Sequence, residues 1–99
     1  MIEIKTNESE KYIYIEISGH AGFDRAGRDI VCAAVSMLYQ CFLQTVDDQG
    51  LVSCEFDDDV HAVRVIRCEE TEHYYNMLMT GLKMLAEQFG EFVAIKGEK

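Results

Sequence analysis

Proline and tryptophan are absent from the 99 residues, basic side chains number nine against eighteen acidic ones, and the four cysteines include no Cys-x-x-Cys pair. Each shortage excludes something. With no proline-rich, repetitive or low-complexity stretch there is no linker, and 99 residues suit one domain over 1–99, without room for separate cofactor and substrate units. A net charge of −9 repels phosphate backbones, so direct nucleic-acid binding is not expected. Cys32, Cys41, Cys54 and Cys68 fit neither a disulfide framework nor a zinc knuckle, so no metal is expected. No stretch reads as long and apolar enough to cross a bilayer, so no membrane partner is expected. Met1-Ile2-Glu3-Ile4-Lys5 alternates where a signal peptide needs a basic start and an apolar run. The expected location is the cytoplasm, with reduced thiols.

What is present reads as an alternation of strand and helix patterns. Ile2 and Ile4 alternate with polar residues, and after Asn7-Glu8-Ser9-Glu10 the alternation resumes at Ile13, Ile15 and Ile17, which predicts a hairpin. From Asp29 the period becomes helical, with Val31, Ala34, Val35, Leu38, Phe42 and Val46 on one arc. Leu51–Phe56 and Val60–Arg67 flank Asp57-Asp58-Asp59 as a second hairpin. Thr71 can cap a second helix carrying Tyr75, Leu78, Leu82, Leu85 and Phe89, and Phe92–Lys96 closes as a strand. The order β-β-α-β-β-α-β predicts an α+β two-layer sandwich, one mainly antiparallel sheet with both helices on one face.

The chemistry concentrates between the first hairpin and the first helix. Gly19, Gly22 and Gly27 make a bendable loop between His20, at a strand end, and Cys32, in the first turn of a helix. Unpaired N–H groups and the helix dipole favour an anion there, and the thiolate is the reactive form of cysteine. The same N–H groups can donate to an oxyanion formed from a carbonyl substrate. His20 can move the proton if the loop folds back toward Cys32. Asp29 can cap the helix or orient His20, and Ser36 lies one turn beyond Cys32 on the same border.

Other candidates are weaker. Asp57-Asp58-Asp59 lacks the spacing and distal glutamate of an EF-hand and reads as a solvated turn. His61 and His73 form no i,i+4 pair, so they do not read as a metal site with Cys68. Tyr74, Met77 and Met84 widen the apolar stripe of the second helix, as core packing or a dimer seam would require.

Gly19-His20-Ala21 followed by Gly27-Arg28-Asp29-Ile30-Val31-Cys32-Ala33-Ala34-Val35-Ser36 resembles the signature of the ribosomal-processing cysteine protease Prp family. The resemblance implies a cysteine endopeptidase with His20 and Cys32 as catalytic pair and Asp29 and Ser36 in support. It implies a homodimer without cofactor that removes a short N-terminal extension from a large-subunit ribosomal protein, cutting next to aromatic residues. Two rivals stand beside it. A non-catalytic peptide-binding module would show no fast alkylation of Cys32, and another cysteine-dependent acyl transferase or thioesterase would act on thioesters but not on peptides.

Overall fold

Apolar residues at every second position put one face of each strand into the core, and the computed structural model describes residues 1–25, 28–57 and 61–98. β1 (Ile2–Glu8) and β2 (Tyr12–Ser18) form the first hairpin, whose turn is closed by the Ser9 hydroxyl accepting the Tyr12 N–H at 3.2 Å. Then come α1 (Ile30–Asp48), β3 (Val52–Asp57), β4 (His61–Ile66), α2 (Glu69–Gln88) and β5 (Val93–Glu98). The strands lie in the order β3-β4-β2-β1-β5, antiparallel throughout except for the parallel pair β1 and β5. Both helices share one core with the sheet, in the expected two-layer α+β arrangement. Asp58 and Asp59 of the polar turn lie outside the described residues.

Ile4, Ile13 and Ile15 are fully buried, each contributing about 1.5–3 kcal/mol by leaving water. Val31, Val35, Tyr39, Phe42 and Val46 answer them from α1, and Tyr75, Leu78, Met79 and Leu82 from α2. Tyr39 lies outside the arc expected from the sequence. The helices approach closely: a Cβ at Gly81 would meet the Leu38 methyl carbons at 2.9 and 3.0 Å.

Two expectations are corrected. α1 has 19 residues and a mean hydropathy of 1.4, so one helix is long and apolar enough to cross a membrane by length and composition. Its apolar residues are those of a core helix, since the stripe from Val31 to Val46 is buried against the sheet and α2. Second, α2 starts at Glu69 with Cys68 as its N-cap, not Thr71. The Thr71 hydroxyl, from inside the first turn, accepts the Cys68 N–H at 2.7 Å and so satisfies the helix start from the third helical position.

The register fixes where a site can form. Glu3 opposes Ser18, Ile17 opposes His61, and Ile2 opposes Val93. The end of β2 and the starts of β1, β4 and β5 therefore meet at one end of the sheet, where the chain enters α1.

Candidate active site

At that end β2 gives way to a turn that requires glycine. Gly19 has φ +83°, and a Cβ there would collide with the Met1 carbonyl, so the first glycine is needed for left-handed backbone and close approach to the start of β1. Gly22, with φ +71° and open space around it, is needed for conformation alone. Gly27 lies outside the described residues.

Asp29 ties this loop to α1. One carboxylate oxygen accepts the N–H groups of Val31 and Cys32, both at 3.0 Å, as an N-cap. The other accepts those of Phe23 at 3.1 Å and Asp24 at 3.4 Å. The Cys32 N–H, with those of Asp24, Phe23 and Val31 behind it, holds the Asp29 carboxyl below its ordinary value against the opposing effect of desolvation. Of the two roles open in the sequence, the geometry shows capping. It also changes the expected oxyanion donors: Val31 and Cys32 N–H are taken by the Asp29 side chain, and Ala33 N–H donates to the Asp29 carbonyl at 3.1 Å. The donor beside the sulfur comes from the loop instead, because the N–H of buried Ala21 points at Cys32 Sγ at 3.3 Å.

Asp29 yields a signed prediction. Its folded-state pKa lies below the unfolded value, so the stabilisation is fully present above about pH 4 and is lost as pH falls through the folded value. Asp29→Ala should lower Tm at pH 7 by roughly 4–8 °C, as loss of a helix cap does in a small domain. The difference from wild type should shrink below about pH 4. A difference independent of pH in thermal melts would contradict the clamp.

Cys32 is half-buried and opens into a cavity of about 630 Å³ whose wall also contains His20, Gly22, Asp29 and Ser36. The exposed imidazole of His20 and the thiol thus face one space large enough for a peptide segment. Ser36 lies one turn along α1 on the same wall. A smaller hollow of about 180 Å³ shares His20, Cys32 and Ser36 and adds Tyr39, Gln40 and His61. His61, with its ring centroid 6.3 Å from that of Tyr39, was set aside in the sequence as a scattered histidine. Only the pairing of β2 with β4 brings it here. Among the described residues no cluster of three His, Cys, Asp or Glu side chains is arranged for a metal.

All four cysteines are free, and Cys41 is the most exposed of them, on the far side of α1. Iodoacetamide should nonetheless label Cys32 first, because Cys32 alone combines a loop N–H on its sulfur with access to the cavity. Equal labelling of the four thiols in the folded protein, read by peptide mass, would contradict a special role for Cys32.

A thiol in the first turn of a helix, with an N–H on its sulfur and an imidazole in the same cavity, has the parts of a cysteine hydrolase. The family model of the cysteine protease Prp matches residues 1–94, and the chain belongs to that family and is a cysteine protease. Solved structures give the same fold. The essential ribosomal processing protease Prp from S. aureus, in complex with a covalently linked product peptide, superposes with a TM-score of 0.80 at 19% identity over 99% of this chain and 100% of that one. The same protease with a substrate peptide gives a TM-score of 0.74 at 17% identity, covering 99% and 100%. A protein from Streptococcus mutans gives 0.72 at 28% identity, covering 98% and 93%. No curated protein matches the chain.

Proposed function

We propose that this protease removes a short N-terminal extension from a large-subunit ribosomal protein, with Cys32 as nucleophile and His20 as the proton-transfer group. The observation that carries the reading is the Ala21 N–H on Cys32 Sγ at the wall of a cavity shared with His20. The S. aureus protein of the same fold, which holds a covalently linked product peptide, supports it. Charge supports it too: a net of −9 suits a cationic substrate, and a protein built to bind ribosomal RNA is cationic. A ribosomal protein substrate and four free cysteines both suit work in the cytoplasm, where thiols stay reduced.

The Cys32 thiolate attacks the scissile carbonyl carbon, and the electron pair of the C=O moves to oxygen. Ala21 N–H, first on the sulfur, lies beside the position where that charge develops. Collapse breaks the C–N bond, with the leaving amine taking its proton from the His20 imidazolium. Neutral His20 then takes a proton from water, whose oxygen attacks the acyl carbon, and the C–S bond breaks to release a carboxyl product and restore the Cys32 thiolate and His20 imidazolium. Asp29 supports this by holding the loop and the helix start together, and Ser36 supplies a hydroxyl to the cavity wall. Incubation with the ribosomal protein precursor, read by intact mass for wild type and Cys32→Ala, tests it.

We also propose a homodimer formed through the outer faces of the helices. Met77 is 78% exposed, Met37 68% and Met84 63%, and a shallow apolar groove with Leu38, Cys41, Tyr74 and Met77 in its wall runs between α1 and α2. Light scattering at micromolar concentration should give twice the 11.3 kDa chain mass, and Met77→Lys with Met84→Lys should halve it. A monomer mass for the wild type would contradict the dimer.

A further inference from the structure

The loop that carries Ala21 is held at a second point, away from Asp29. The Phe23 ring meets Phe89 edge-on, with centroids 5.6 Å apart and planes at 81°, and meets Phe92 likewise at 5.2 Å and 84°. Both partners belong to a stitched segment. Phe89 is the C-cap of α2 and donates its N–H to the Leu85 carbonyl at 2.7 Å. Phe92 donates to the Phe89 carbonyl at 2.8 Å, and its own carbonyl accepts the Ile2 N–H at 2.8 Å, which ties the turn before β5 to the start of β1. Phe23, 41% exposed, therefore rests one side of its ring on two phenylalanines that pack against the core.

Only Gly22 separates Phe23 from Ala21, so the seat of the Phe23 ring constrains where the Ala21 N–H points. The Asp29 bonds to Phe23 and Asp24, at 3.1 and 3.4 Å, lie in an exposed setting and are a second restraint on this side of the loop. We propose that Phe23, seated between Phe89 and Phe92, is a positioning residue that keeps the Ala21 N–H on the Cys32 sulfur. It acts on the reacting centre through the backbone of the loop, without touching the sulfur itself. This gives a role to two aromatic residues on α2 and its exit turn that otherwise have no part in the site, and it assigns the loop conformation to packing as well as to glycine.

The inference rests on the cysteine-protease reading for its kinetic arm, while alkylation of Cys32 needs no peptide and reports on the sulfur directly. Phe23→Ala should slow iodoacetamide labelling of Cys32 about tenfold and lower kcat on the extension peptide about tenfold, with KM within roughly twofold of wild type. Phe23→Tyr, which keeps the edge-on ring, should restore both. Labelling of Cys41 serves as the internal control and should not change. Unchanged Cys32 labelling in Phe23→Ala would overturn the proposal, and so would a raised KM with unchanged kcat, which would make Phe23 a substrate contact. If Phe23→Ala melts below the assay temperature, Phe23→Leu gives the same reading: slower labelling of Cys32 than of wild type supports the positioning role, and equal labelling overturns it. Normal labelling of Cys32 with no cleavage of any peptide by the wild type would sink the substrate reading and leave the positioning role standing.

Discussion

Cys32→Ala should lower cleavage of the extension peptide by roughly four orders of magnitude or more, because the thiolate is the strongest nucleophile among the described residues of the cavity wall. The Ser36 hydroxyl shares that wall one turn farther along α1, and the Asp29 carboxylate is engaged by backbone N–H groups. The fold should survive. Cys32 is half-buried at the margin of the core, and alanine keeps the helix start, whose cap comes from Asp29. The loss is then chemical, and circular dichroism should show unchanged helix content. Residual turnover within tenfold of wild type in a variant free of wild-type contamination would mean that another residue attacks.

His20→Ala should cost about two orders of magnitude or more in kcat, the range for removing a positioned acid and base. His20 lies two residues beyond the end of β2, is exposed, and lines the cavity, so its removal empties the site without opening the core. Labelling of Cys32 should persist in this variant, which separates proton transfer from nucleophile formation. Retained peptide turnover would take His20 out of the mechanism, and unfolding seen by circular dichroism would make it structural. His61, in the smaller shared hollow, is the residue to exchange next if His20→Ala stays active.

Local signals carried much of this architecture. The hairpin from Ile2 to Ile17 and the two helices follow from periods of two and 3.6 residues, and Asp29 three residues before Cys32 is a readable cap. What escaped depends on partners distant in the chain. Nothing in the Leu51–Arg67 segment says that β4 lies beside β2, so His61 looked unrelated to Cys32 until Ile17 opposed it. The parallel pairing of β1 with β5, which brings Phe89 and Phe92 within reach of Phe23, is equally invisible to a local pattern. The helix-start N–H groups were expected to face the substrate, and Asp29 takes those of Val31 and Cys32 by capping well. Gly19 reads in the sequence as part of a bendable loop, whereas its left-handed backbone and close approach to the Met1 carbonyl explain it.

One intact-mass experiment tests the proposed proteolysis most directly. A large-subunit ribosomal protein precursor bearing the proposed N-terminal extension, taken from the same cell, is incubated with wild type and with Cys32→Ala, and both mixtures are quenched in acid and weighed. Wild type should convert the precursor to a single shorter species lacking only the N-terminal extension, while Cys32→Ala should leave it at full mass. A precursor left intact by wild type whose Cys32 is fully alkylatable, or one shortened equally by Cys32→Ala, would contradict it.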